Sequence, residues 1–176
     1  MDSNSLRVMT SSEDHTWETP KWFFDVVERM FVEKYGGPFD MDVAASVENH
    51  LAPIFYTEED DALTKPWRGR VWCNPPYGEM VPKFLVKAHQ ESENHGAIVA
   101  MLIPSRTDTK YSHDVISKAA EVRAIRGRLK FGESSDSAPF PSVLVIFDRN
   151  DRGGRFIWWN PRDENLSFDF MRMGVE

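Results

Sequence analysis

The stretch Ala97 to Ile103 is apolar without interruption. A run of that length between turn residues reads as a strand buried on both faces, because a strand with one face in water would alternate. Such strands belong to parallel sheets covered by helices on both sides. The residues before it agree. Met80, Val81, Phe84, Leu85 and Ala88 repeat at helical spacing, and Asn94-His95-Gly96 ends that helix. Upstream, Val71-Trp72-Cys73 is a short apolar run that stops at Asn74-Pro75-Pro76, since two prolines cannot continue a central strand. Strand, helix and strand in this order form a βαβ unit with parallel strands.

The rest of the chain extends this unit. Residues 1–16 are polar and without period and read as a mobile tail, leaving 17–176 for a single domain. Thr19-Pro20 opens a helix, with Thr19 at the N-cap and Pro20 in the first turn. Trp22, Phe23, Val26, Val27, Met30 and Phe31 form its apolar face, and Gly36-Gly37-Pro38 stops it. Phe39, Met41 and Val43 alternate with Asp40 and Asp42, as in a strand. Residues 46–70 read as a long loop holding at most one short element, and loops of that length are more often functional than idle. A helix over 108–119, strands at Val122–Ile125 and Val143–Phe147, and an edge strand at Phe156–Trp159 complete an α/β architecture with a mainly parallel sheet.

Composition excludes several classes. At 176 residues, 41% apolar and 28% charged, the chain is one globular domain with a core. No run reaches the roughly 18 apolar residues of a membrane span. The first residues lack the pattern of a signal peptide, so the expected location is cytoplasmic. One cysteine, Cys73, excludes an internal disulfide framework and a cysteine-based zinc site. His89 and His95 do not have metal-ligand spacing, and no metal is expected. The net charge of -7 argues against gripping nucleic acid by overall charge. A nucleic-acid partner must then meet a local patch: Arg123, Arg126, Arg128 and Lys130, or Arg149, Arg152 and Arg155.

Ligands of open α/β sheets bind outside the carboxyl ends of the strands. That rule selects Asp42-Val43-Ala44-Ala45, Asn74-Pro75-Pro76-Tyr77 and Pro104-Ser105-Arg106. The second is the most informative. Two prolines stiffen the turn, Asn74 Oδ1 and the Pro75 carbonyl are acceptors, and Tyr77 adds a flat wall. This is a small cradle for a planar substrate bearing an exocyclic NH₂. The plainer reading is a rigid turn with a surface tyrosine, and the position at a strand end favours the cradle.

Asn-Pro-Pro-Tyr after an apolar strand resembles the catalytic motif of S-adenosylmethionine-dependent amino methyltransferases. From about Trp17 to Phe147 the chain resembles one branch, the phage-type DNA N6-adenine methyltransferases (Dam). The resemblance rests on Trp17-Glu18-Thr19-Pro20, Asp42-Val43-Ala44-Ala45 with Asn49, Phe55 to Leu63, Val71 to Gly78, Pro104 to Thr109, Arg126 to Phe131, and Ala138 to Ser142. It implies a Rossmann-like domain, a mixed mainly parallel sheet flanked by helices. It further implies methyl transfer from S-adenosylmethionine to adenine N6 in double-stranded DNA. Acceptors at Asn74 and Pro75 then draw on both N–H bonds of the amine, with Pro76 stiffening the turn. The base must leave the stack to reach them. Tyr77 is expected to stack on it and Phe140 to form a second wall. Arg106, Arg126, Arg128 and Lys130 are candidate DNA contacts.

The resemblance assigns Trp17, Thr19, Pro20, Asp42, Ala44, Asp61 and Asn74 to the cofactor. Asp42 reads equally well as a turn residue and Thr19 as a helix cap, and Asp60 competes with Asp61. Glycines that usually mark the first turn of such folds are replaced here by Ala44-Ala45-Ser46. The family name suggests GATC as target, and a monomer is assumed. Two other classes share parts of the pattern: amino methyltransferases of RNA or protein glutamine, and a degenerate, non-catalytic DNA-binding module.

Overall fold

The computed structural model describes residues 18–132 and 137–163. The tail read over 1–16, Trp17 and part of the polar segment 132–141 lie outside the described residues. The elements are α1 (Lys21–Tyr35), β1 (Met41–Asp42), β2 (Ile54–Phe55), β3 (Arg70–Cys73), α2 (Met80–His95), β4 (Ile98–Pro104), α3 (Lys110–Asp114), β5 (Glu121–Ile125), β6 (Ser142–Phe147) and β7 (Arg155–Trp159). They build a seven-stranded sheet in the order β2-β1-β3-β4-β6-β5-β7. Neighbours pair in parallel except at β6, which runs against both β4 and β5. Among the described residues, no helix is long and apolar enough to cross a membrane.

Burial on both faces explains the continuous apolar runs. Along β3, β4 and β6, Trp72, Ala100, Leu102, Leu144 and Ile146 point to the layer that holds Phe23, Phe24, Val27 and Phe31 of α1. The alternate residues Val71, Cys73, Val99, Met101, Ile103, Val143 and Val145 point to Val81, Phe84, Leu85 and Ala88 of α2. Strand register lines these sets up, with Trp72 beside Ala100 and Ala100 beside Ile146. The helices end where the glycines stand: Gly36 and Gly96 adopt left-handed conformations and close α1 and α2.

Strand direction carries the site. β1 to β5 and β7 end at one edge of the sheet, and antiparallel β6 begins there. Phe140 and Pro141 precede β6, so they come to the same edge as Asn74-Pro75-Pro76-Tyr77; the Pro141 carbonyl accepts from Ser105 N at 2.8 Å. β1 pairs with β2 on one side and β3 on the other. The chain therefore reverses its direction across the sheet between β1 and β3, which is where such folds open a crevice.

Four expectations need correction. The helix starts at Lys21 with Pro20 at its N-cap and no side-chain cap, so Thr19 does not cap it. The helix expected over 108–119 is broken into α3 and a 3₁₀ turn at Ile116–Lys118. Hydroxyls bond backbone carbonyls at both ends, with Ser112 Oγ donating to Arg106 O ahead of the helix and Ser117 Oγ to His113 O in its last turn. The strand around residue 41 is only two residues long, and both Met41 and Asp42 are buried, so the alternation there does not separate inside from outside. The loop expected over 46–70 with at most one short element holds two, β2 and a 3₁₀ turn at Glu58–Asp60.

Candidate active site at the strand ends

A cavity of about 750 Å³ lies at the crevice between β1 and β3. That volume suits a nucleoside-sized ligand. One wall is the loop 43–49 after β1, another the turn 57–62 after β2, and a third Asn74, Pro75 and Pro76 after β3. Glu18 and Thr19 close it from the start of α1, and Met80 and Phe84 of α2 add apolar surface. Five acidic side chains line it (Glu18, Glu48, Glu58, Glu59 and Asp61) and, among the described residues, no basic one. Such a lining attracts a cation and repels a phosphate.

The loop after β1 is shaped by Asp42. The carboxylate accepts from Leu51 N at 3.0 Å and from Ala44 N at 3.3 Å. Parallel neighbours usually need a helical crossover, and here a loop without a helix takes its place between β1 and β2. Asp42 does not itself line the cavity; it ties the two ends of the loop that does. It is 3% exposed. Burial raises its pKa to about 6 against the opposing pull of Leu51 N, Ala44 N and His50.

Asp60 and Asp61 separate by role. Asp60 accepts from Thr57 N at 2.8 Å and from its hydroxyl at 2.9 Å, and these bonds hold its carboxyl below the usual range. Asp61 lines the cavity, and it has a positive φ of 52°, unique among the described non-glycine residues. Aspartate tolerates that conformation better than most residues, and strained backbone gathers at functional sites.

At the end of β3, Asn74 Nδ2 donates to Thr19 Oγ1 at 3.1 Å. Tyr77 meets Phe140 edge-on, with centroids 5.3 Å apart and planes at 76°, and meets Phe131 at 6.0 Å and 89°. Rings at such angles cannot both lie flat on one base. In this arrangement Phe140 buttresses Tyr77 and does not face it across a slot. Burial pushes the Tyr77 phenol well above its usual pKa, and burial also raises the Cys73 thiol, so neither ionises near neutrality.

Of the residues expected at the cofactor, Thr19, Ala44, Asp61 and Asn74 meet around one cavity, whereas Pro20 and Asp42 stand behind its walls. Sequence reasoning missed Glu18, Glu48, Met80 and Phe84 in the lining and Phe131 as a third ring beside Tyr77. Met80 and Phe84 carried a helical-spacing signal that reads equally well as core.

The two basic patches fare differently. Arg152 forks onto Glu93 at 2.8 and 2.9 Å, Arg149 reaches the Glu93 carbonyl, and Arg155 pairs with Asp151 and Glu121. Arg123 pairs with Glu121 and lies over the Trp159 ring. Those cations already have partners, although Arg149, Arg152 and Arg155 lie at the surface. Arg106, Arg126, Arg128 and Lys130 are exposed and follow β4 and β5 at the site's edge; Arg128 also donates to Ala138 O at 3.2 Å.

A sheet with one antiparallel strand, a cavity at its switch point and Asn-Pro-Pro-Tyr on the adjoining strand end define a Rossmann-like methyltransferase. The family model described as DNA N-6-adenine-methyltransferase (Dam) matches residues 7–165, and the chain belongs to this family. It is 34% identical over 144 residues to a DNA N-6-adenine-methyltransferase of Haemophilus phage HP1, covering 78% of this chain and 80% of that one. It is also 34% identical over 109 residues to a DNA N-6-adenine-methyltransferase of Escherichia phage T1, covering 60% of this chain and 42% of that one. The family implies a methyl donor.

Proposed function

We propose that the protein transfers a methyl group from S-adenosylmethionine to N6 of an adenine flipped out of double-stranded DNA. The carrying observation is the Asn74 amide, at a strand end, on the wall of an acidic cavity of nucleoside size. The lining fits this donor. S-adenosylmethionine bears a sulfonium and an ammonium, which suit carboxylates, and its nucleoside suits Pro75, Met80 and Phe84. Ala44 and Asp61 would hold it, while Thr19 and Asn74 line the same cavity. A polyanion does not enter such a lining, so DNA approaches across Arg106, Arg126, Arg128 and Lys130 on the same edge.

When bound, the donor supplies an electrophilic methyl group. The chain's residues prepare the other partner. Adenine N6 is a weak nucleophile because its lone pair is delocalised into the ring. Asn74 Oδ1 and the Pro75 carbonyl accept its two N–H bonds and localise the lone pair. Pro76 keeps the turn rigid, and Tyr77, steadied by Phe131 and Phe140, supports the base. Positioning does most of the work. The nitrogen's surplus proton leaves to solvent afterwards, so no strong base is needed. On this reading the protein works in the cytoplasm of a bacterial cell or phage-infected host.

The test is methylation of an unmethylated plasmid, read by long-read sequencing, with cofactor affinity measured by calorimetry. Wild type should modify adenines in one short motif. Asn74→Ala should lose that activity and keep cofactor affinity within about threefold, because the side chain acts on the target amine. Unmodified DNA despite cofactor binding, or undiminished turnover in Asn74→Ala, would overturn the reading.

A further inference from the structure

We propose that Thr19 is a positioning residue for Asn74: its hydroxyl oxygen accepts from Asn74 Nδ2 and so keeps Oδ1 as the end offered to the target amine. This rests on the reading of Asn74 as an acceptor for that amine.

A carboxamide is nearly symmetric in shape, yet one end only accepts and the other only donates. An amine presented through its N–H bonds needs the accepting end. Turned round, the amide would meet it donor to donor. A neighbour must break that symmetry, and Thr19 is placed to do so. Its residue type and its place before Pro20 suit a helix cap, but α1 begins without any side-chain cap. The Pro20 carbonyl accepts from Phe23 N and Phe24 N, so the backbone starts the helix unaided. The Thr19 hydroxyl reaches instead across 55 positions of sequence to Asn74.

The scaffold beneath the contact is rigid. Phe24 of α1 packs edge-on against Trp72 of β3 with centroids 5.3 Å apart, and both rings are buried. The start of α1 is thereby fixed to the strand that delivers Asn74. Thr19 and Asn74 also line the same cavity.

The experiment pairs Thr19→Val, which removes the hydroxyl, with Thr19→Ser, which keeps it. Each is made in wild type and in Asn74→Asp. Thr19→Val should lower kcat by about 10- to 100-fold, the usual cost of losing an outer-shell partner. KM for DNA and calorimetric cofactor affinity should hold within about threefold, and Thr19→Ser should restore most of kcat. In Asn74→Asp both oxygens accept, so there is no orientation to lose, and Thr19→Val should then cost little. In protein labelled with ¹⁵N-asparagine, Thr19→Val should shift the Asn74 side-chain amide pair and speed its exchange, and Thr19→Ser should not; this readout needs no turnover.

Unchanged kcat in Thr19→Val, an equal loss in both backgrounds, cofactor affinity falling in step with kcat, or an unmoved Asn74 amide pair would each overturn the assignment. Turnover surviving in Asn74→Ala would instead overturn the reading beneath it. An inactive Asn74→Ala beside a fully active Thr19→Val would overturn the Thr19 assignment alone.

Discussion

Asp42 should make this protein less stable as pH rises from acid toward neutral. Its carboxylate is 3% exposed. Burial lifts its pKa from 3.8 to about 6, and the hydrogen bonds from Leu51 N and Ala44 N only partly oppose this. Between those two values the native state keeps a proton that the unfolded chain has lost. Stability contributed by that proton is full below the unfolded value and is lost as pH rises through the folded one, the reverse of a salt-bridged carboxylate. The whole rise is worth about 3 kcal/mol, of which about 2 kcal/mol falls between about pH 4.5 and 7.5. Asp42→Asn cannot ionise. It gives up one of two acceptors, at a cost of about 1 kcal/mol. Its stability relative to wild type should still climb by about 2 kcal/mol across that interval. Urea unfolding followed by tryptophan fluorescence, run on both proteins at closely spaced pH values, measures this. The difference cancels the other titrating groups. Curves that stay parallel within about 0.5 kcal/mol would refute the argument.

Two further outcomes follow from the structure. Arg126→Ala with Lys130→Ala should weaken DNA binding and lower its salt slope by about 2, one per phosphate contact. Arg152→Ala, whose fork is engaged with Glu93, should leave the slope unchanged; equal effects from both would show that DNA does not meet this edge. Gly69→Ala should cost at least about 2 kcal/mol in a urea melt. Gly69 has a φ of +69°, and an added Cβ would strike the Asp40 carboxylate. That carboxylate accepts from Arg70 N and Nη2, both at 2.8 Å. An unchanged midpoint would mean that the turn absorbs the methyl.

Much of the fold was legible because its signals are local. The apolar run of β4, the helical spacing of α2 and the glycines after α1 and α2 report backbone geometry within a few residues. The strand-end rule then led to Asn74 and Tyr77 without any knowledge of strand order. It was less informative where an acidic residue had more than one partner to choose from. Asp42 reads from sequence as a cofactor contact or a turn residue, and it bonds to Ala44 and Leu51 behind the cavity wall. Sequence leaves Asp60 and Asp61 equivalent, and only the tertiary structure shows Asp60 bonded to Thr57 and Asp61 on the cavity wall.

By itself, then, the sequence determined the α/β class, the parallel core and the chemistry of the turn after β3. Each depends on periodicity or on residues adjacent in the chain. Tertiary structure decided the rest. Strand order brought the turns after β1, β2 and β3 around one acidic cavity. It carried Phe140 to Tyr77, turned Thr19 from a helix cap into a partner for Asn74, and gave the surface residues Arg149, Arg152 and Arg155 partners in Glu93, Asp151 and Glu121 while setting Arg126 and Lys130 at the site's edge. Charge and hydrogen-bond capacity belong to a residue, but the partner that satisfies them belongs to the packing, and packing joins positions far apart in the chain.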